Sequence, residues 1–230
     1  MVASIFTIVM MALFLFFNAA YAKHYGTTLC EIQKDQYSCY TVKRGQTWEK
    51  LYPNEEKRDL VMRINRMNTE IYSGLKIAIP RSDDLNKLSY SPLPRQIDPP
   101  GEKTIIVSID KLAFGAYSAE GVLRYWGAIS SGRGYCRDVH HHCGTPTGKF
   151  TIYSKQGKGC VSNKFPVGRG GAPMPYCMFF HGGFALHGSY TVPGYNDSHG
   201  CVRLFVNDAE WLNRDFTAEE GETRVIINRD

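Results

Sequence analysis

Several signals that would settle a function at once are missing from this chain. Its 27 basic and 22 acidic residues leave a net charge of only +5, and no lysine or arginine run forms a nucleic-acid patch. The stretch Gly168-Arg169-Gly170-Gly171 is not followed by Gly-Lys-Ser/Thr, which excludes a phosphate-cradling loop. No internal period points to a solenoid of repeats. No Lys or Arg precedes Lys23, so the apolar residues 5–17 lack the basic flank of an export signal. Leu29-Cys30 lacks the small residues that precede a lipidated cysteine.

What is present outweighs the missing basic flank. Ala20-Tyr21-Ala22 is a small-x-small site ahead of Lys23, so residues 1–22 are expected to be a removed signal peptide. The rival is an uncleaved anchor, because residues 1–17 are almost long enough to span a bilayer. Both readings place the rest of the chain outside the cytoplasm. The seven cysteines suit an oxidising compartment, and their odd number leaves one thiol free or paired with another chain. With Cys201 free, sequence proximity suggests Cys30–Cys39, Cys136–Cys143 and Cys160–Cys177, out of fifteen possible pairings.

Two modules follow. In residues 37–80, Ser38-Cys39-Tyr40-Thr41-Val42 has strand character and Arg44-Gly45-Gln46-Thr47-Trp48 turns into a short helix. Leu60, Val61, Ile64 and Met67 recur at helical spacing, and Leu75-Lys76-Ile77-Ala78-Ile79-Pro80 alternates as a strand ended by proline. Residues 81–102, with Ser91-Pro92-Leu93-Pro94 and Asp98-Pro99-Pro100-Gly101, read as an extended linker. Residues 103–228 carry strand signals at 104–109, 122–129, 149–153, 178–186 and 224–227. One helix is expected there, capped by Asn207 with Glu210 at the capping-box position. Many strands joined by glycine-rich turns predict an α+β, mainly β fold with a β-sandwich-like core.

The densest chemistry lies in Ser198-His199-Gly200-Cys201-Val202-Arg203-Leu204, behind Phe184-Ala185-Leu186-His187-Gly188. A free thiol has a pKa of roughly 8.5, so little of it is thiolate near neutrality unless an imidazole takes its proton. Cys201 has one histidine two residues upstream and another fourteen upstream. A lone cysteine is more often buried or bridged; two flanking His-Gly pairs make this one a candidate nucleophile. Gly200 permits a sharp turn, and its amide and that of Cys201 are expected to hold an oxyanion.

These residues resemble the L,D-transpeptidase (YkuD-like) catalytic domain, whose pattern is His-Gly, a loop, then Ser/Thr-His-Gly-Cys, an apolar residue and Arg or Asn. Thr145-Pro146-Thr147-Gly148-Lys149-Phe150 and Gly171-Ala172-Pro173-Met174-Pro175-Tyr176 are also similar to it, and the resemblance spans residues 103–228. One departure is the loop, since only ten residues separate His187 from Ser198. The resemblance implies that His187 is the base and that the carbonyl of Gly188 orients its ring. It puts His199 at the oxyanion site or in a structural hydrogen bond of the loop, and makes Ser198 a brace. Arg203 pairs a substrate carboxylate or braces the loop. Met174 and Tyr176 belong to a mobile wall of the substrate cleft or to a plain surface loop. Residues 37–80 resemble a LysM domain of βααβ order, through Tyr40, Val42, Gly45, Gln46, Thr47, Asn65 and Ile79-Pro80. Trp48 and Tyr52-Pro53 depart from that pattern, and the alternative is an unrelated capping domain.

Two other histidine features compete. His181 is a rival base that does not fit the family pattern, and its plain reading is a surface residue at a strand end. His140-His141-His142 lies between Cys136 and Cys143 and has zinc-ligand chemistry. A bridge accounts for those cysteines, and thiol chemistry needs no metal or cofactor, so none is expected. The combined expectation is a periplasmic enzyme that forms 3→3 cross-links in peptidoglycan, with stem peptides at Cys201 and glycan at residues 37–80. The alternatives are a carboxypeptidase or cross-link hydrolase using water, a transferase attaching an outer-membrane protein through its lysine, and a non-catalytic wall-binding scaffold.

Overall fold

The computed structural model describes residues 23–217 and 223–230. The expected signal segment, residues 1–22, lies outside them. Among the described residues no helix is long and apolar enough to cross a membrane.

The N-terminal unit begins with helix α1 (Tyr25–Ile32), which the sequence reading did not anticipate. Strand β1 (Tyr37–Thr41), helices α2 (Trp48–Leu51) and α3 (Glu55–Ile64) and strand β2 (Lys76–Pro80) follow. The strands pair antiparallel, from Tyr37 opposite Pro80 to Thr41 opposite Lys76. Thr47 and Asn54 cap the two helices by accepting from the amides of Lys50 and Lys57, which satisfies donors that a helix start leaves open. Val42, Trp48, Val61, Met67, Leu75 and Ile77 fill the space between helices and strands. Buried Asn65 clips α3 to β2: Nδ2 donates to Val61 O and Ala78 O, and Oδ1 accepts from Ala78 N, each at 2.8 Å. The Cys30–Cys39 disulfide ties α1 to β1.

The remaining chain builds a mainly β unit. Its strands are β3 (Thr104–Ser108), β4 (Ala113–Tyr117), β5 (Leu123–Ser130), β6 (Tyr135–Cys136), β7 (His141–His142), β8 (Gly148–Thr151), β9 (Ser154–Lys155), β10 (Met178–His181), β11 (Phe184–Gly188), β12 (Val202–Leu204) and β13 (Arg224–Asn228). Helix α4 (Val206–Trp211) runs into a π-helical turn, Leu212–Phe216. Strands β6 and β7 form a separate ribbon. The other nine make one sheet in the order β8-β13-β3-β4-β5-β12-β11-β10-β9. β13 runs parallel to β3 and β12 parallel to β11. This sheet curls on itself rather than splitting into two stacked sheets. Phe150 of β8 and Phe180 of β10, near opposite edges, meet with ring centroids 5.3 Å apart. Residues of both halves, among them Ile105, Phe114, Leu186, Val202 and Leu204, share one core with Leu212 of the π turn.

Several expectations are corrected. The run 178–186 is a hairpin rather than one strand, because Gly182 turns the chain at φ +51°. Strand β4 escaped notice because Ala113-Phe114-Gly115-Ala116-Tyr117 is buried throughout, so no polar face alternates with an apolar one. Asn207 caps nothing: Phe205 occupies the N-cap position, and Glu210 accepts instead from the Tyr176 hydroxyl. The linker is seated along the sheet. Trp126 Nε1 donates to Lys87 O at 2.6 Å, Tyr117 Oη to Pro94 O at 2.9 Å, and Leu123 N to Arg95 O at 3.0 Å.

The two units are joined by a buried ion pair. Arg63 of α3 presents Nη1 and Nη2 to the two carboxylate oxygens of Asp208 on α4, both at 2.8 Å. Nη1 also donates to Trp126 O at 2.9 Å. Arg63 is 1% exposed and Asp208 fully buried. Asp59 Oδ2 lies 3.3 Å from Arg63 Nη2, so Arg63 keeps a second carboxylate if Asp208 is removed, whereas removing Arg63 strands Asp208 away from water. Arg63→Met is therefore expected to lower unfolding free energy by about 3–5 kcal/mol in urea titrations. Replacing both residues by apolar ones of similar size should recover most of that loss, and a double variant as weak as the single one would contradict it.

Candidate active site

Strand register explains which side chains meet. β11 and β12 pair parallel with Leu186 opposite Val202 and His187 opposite Arg203. Side chains alternate along a strand. Leu186, Val202 and Leu204 therefore enter the core, while His187, Arg203 and, one step before the strand, Cys201 share the other face. The charge of Arg203 acts on both His187 and Cys201, as expected of groups on one face. Six cysteines form the bridges Cys30–Cys39, Cys136–Cys143 and Cys160–Cys177, and Cys201 is the free thiol. It packs with Met174, Ala185 and the Cys160–Cys177 bridge, which brings Met174 to the site as expected.

The two candidate reacting groups are both neutral at rest. His187 is 6% exposed. Burial pushes its pKa down to about 4, although the bond to Gly188 O opposes the shift. That bond, from Nδ1 at 2.9 Å, places the proton on Nδ1 and leaves Nε2 as the base. Burial likewise pushes the Cys201 thiol up, against the Ala185 amide and Arg203, which pull it down. Its Sγ donates to Gly183 O at 3.8 Å in this resting geometry. A carbonyl dipole behind His187 orients the ring without supplying the full charge that would favour an ion pair.

The turn before Cys201 is held from several sides. Ser198 Oγ donates to Cys201 O and accepts from Gly200 N, the latter at 2.9 Å. The Gly200 amide, expected at an oxyanion site, is thus engaged inside the turn, and the Cys201 amide remains the candidate donor. Thr145 Oγ1 donates to Gly200 O at 2.7 Å and accepts from Gly132 N at 2.8 Å. Ser198 N donates to Ser131 O at 2.9 Å, and Arg133 N to Ser198 O at 3.0 Å. Gly200 sits at φ +121°, and a Cβ there would lie 2.5 Å from Phe184 Cε1, so the position demands glycine. His199 Nε2 lies 2.6 Å from Asp138 Oδ2, and its ring centroid is 4.5 Å from that of Phe165.

The structure places the other named residues as follows. Arg203 braces the loop between His187 and Ser198, with Nη1 3.3 Å from Thr191 O and 3.5 Å from Asp197 Oδ2. Tyr176, expected in the cleft wall, turns inward at φ +57°, and its hydroxyl donates to Glu210 Oε1 at 2.7 Å. His181 is exposed at the end of β10, between the rings of Phe150 and Phe184. His141 and His142 lie in the exposed ribbon, and the sulfur nearest Asp138 and His199, that of Cys136, is held in a disulfide. Thr145, Ser131, Asp138 and Phe165 were not singled out from sequence. Thr145 and Ser131 lay in or beside stretches already noted, and nothing marked Asp138 or Phe165, which act across long sequence separations. The short loop has its own support: Asn68 Nδ2 donates to Ser189 O and Val192 N donates to Asn68 Oδ1, both at 2.8 Å.

The depressed His187 pKa makes a stability prediction. Between pH 6.5 and about 4 the unfolded chain binds a proton that the folded site refuses. Stability from this site is complete above pH 6.5 and falls as the pH drops toward 4, by up to about 3 kcal/mol. His187→Gln should remove that part of the slope in denaturant titrations at pH 4.5 and 7; an unchanged slope would show that His187 titrates normally.

Residues 102–227 match the family model for the L,D-transpeptidase catalytic domain, YkuD. Among solved structures, the L,D-transpeptidase of Xylanimonas cellulosilytica is similar at 22% identity and a TM-score of 0.54, over 82% of this chain and 97% of that one. An L,D-transpeptidase of Mycobacterium tuberculosis is similar at 24% identity and a TM-score of 0.44, over 56% of this chain and 58% of that one. L,D-transpeptidase 3 of the same organism, in complex with a faropenem-derived adduct, is similar at 21% identity and a TM-score of 0.45, over 56% of this chain and 60% of that one. The chain thus spans nearly all of the first of these and about three fifths of the other two. No curated protein matches. With more than half its length matched by the family model, the chain belongs to the L,D-transpeptidase catalytic-domain family, whose enzymes are cysteine-dependent acyltransferases.

Proposed function

We propose that this protein forms 3→3 cross-links in peptidoglycan through an acyl-enzyme on Cys201. The observation that carries this reading is the one free thiol on the same strand face as a buried imidazole whose Nδ1 is fixed by Gly188 O. His187 Nε2 takes the thiol proton as Sγ attacks the carbonyl of the third residue of a stem tetrapeptide. The C–N bond to the terminal D-alanine breaks, and His187 returns the proton to the departing amine. The side-chain amine of a neighbouring stem's third residue then attacks the thioester, which frees the thiolate; His187 relays a proton from that amine back to sulfur. The Cys201 amide faces the negative oxygen. His199, Ser198 and Gly200 serve as the frame of the turn rather than as proton carriers.

The N-terminal unit, with β1 and β2 antiparallel around α2 and α3, is proposed as a LysM domain that holds glycan. A groove of about 900 Å³ lies between Thr69, Tyr72 and Lys76 of this unit and Pro193 and Tyr195 of the loop after His187. Aromatic faces beside hydrogen-bonding groups suit a sugar. Tyr72→Ala is expected to weaken co-sedimentation with purified cell wall, and undiminished pelleting would remove this part of the proposal. Export to the periplasm is proposed as well, and three disulfides in one chain are consistent with an oxidising compartment.

Incubation with a disaccharide-tetrapeptide followed by mass spectrometry tests the reaction. The expected product is a cross-linked dimer with loss of one alanine, absent with Cys201→Ala and reduced at least a hundredfold with His187→Ala. A tripeptide monomer would instead mean transfer to water. No turnover would mean a scaffold.

A further inference from the structure

We propose that Asp138 is a positioning residue for the thiol chemistry: by gripping His199 it locks the turn that presents Cys201 to a disulfide-closed loop. The inference rests on the reading of Cys201 as nucleophile. Asp138 lies between Cys136 and Cys143, whose bridge closes a loop of sequence separation 7, with Cα atoms 5.8 Å apart. The same loop forms the β6–β7 ribbon. The short closure stiffens the mount on which Asp138 sits. Its sulfurs lie 4.0 and 3.9 Å from Ser198 O, so the bridge packs directly on the turn.

From this mount Asp138 Oδ2 reaches His199 Nε2 at 2.6 Å. The His199 ring also contacts Phe165, which lies within the loop closed by Cys160 and Cys177. His199 is thus the handle by which two bridged loops hold the residue beside Gly200. The turn needs such a handle, because Gly200 stands at φ +121°, where glycine has wide conformational freedom. Thr145 restrains the Gly200 carbonyl and Ser131 the Ser198 amide, but neither touches the His199 side chain. Acyl transfer requires thiol, imidazole and oxyanion donor to be aligned together. A misplacement of about 1 Å costs roughly a hundredfold. Alkylation of the thiol by a small electrophile requires no oxyanion site.

The test separates these two demands. Acylation of Cys201 by faropenem is followed by intact-protein mass spectrometry, and alkylation by iodoacetamide in parallel. Asp138→Asn is expected to slow acylation between roughly ten- and a hundredfold while alkylation and melting temperature stay unchanged. Asp138→Glu should recover part of the rate. In a His199→Ala background Asp138→Asn should add nothing, because the two residues act through one contact. An Asp138→Asn enzyme that acylates at the parental rate, that loses alkylation equally, or whose defect persists in full without His199 would overturn the proposal. If the parental protein alkylates at Cys201 yet takes up neither faropenem nor tetrapeptide, the nucleophile reading itself falls.

Discussion

Strand β12, three residues long, joins the two halves of the nine-stranded sheet. Arg203 and Leu204 pair antiparallel with Ser130 and Ile129 of β5 on one side, and the strand runs parallel to β11 on the other. Val202 and Leu204 are fully buried, so a slip of one residue would expose both and drive Arg203 into the core. Hydrophobic burial of two side chains thereby fixes the register that puts His187 and Cys201 on one face. The catalytic arrangement is a by-product of core packing at the narrowest join in the fold.

The electrostatics of the site follow from that burial. An imidazole shut away from water resists a positive charge, and a thiol in an apolar cluster resists a negative one. The pair therefore rests neutral. Gly188 O fixes the tautomer at no cost in net charge, whereas a buried carboxylate would have needed its own counter-ion. The surrounding frame compensates by geometry: Ser198, Thr145 and His199 each restrain a different atom group of the turn.

The N-terminal unit takes part in this frame. Arg63 and Asp208 neutralise each other at the interface, and Arg66 lies over the rings of Tyr25 and Trp126 at 4.7 and 4.8 Å. Asn68 holds the loop that leaves His187, so a segment only ten residues long is held in place by the neighbouring unit. The seated strap of residues 81–102 completes the attachment.

The order strand, helix, helix, strand of residues 37–80 and the identity of the thiol were legible in the chain itself. Periodicity marked α3 and β2, cysteine proximity anticipated all three bridges, and Cys201 stood out because two His-Gly pairs flank it. Local patterns carry such information because they arise from neighbours along the backbone. Strand β4, the curl of the sheet, the Arg63–Asp208 pair and the grip of Asp138 on His199 were decided only by tertiary structure. β4 pairs with its neighbours in sequence but is buried on both faces and so shows no alternation, whereas the two side-chain pairs join residues 145 and 61 apart, which no local periodicity records. The expected Asn207 cap failed because the helix starts earlier, behind Phe205, and the Gly200 amide is engaged by Ser198 Oγ in the resting turn.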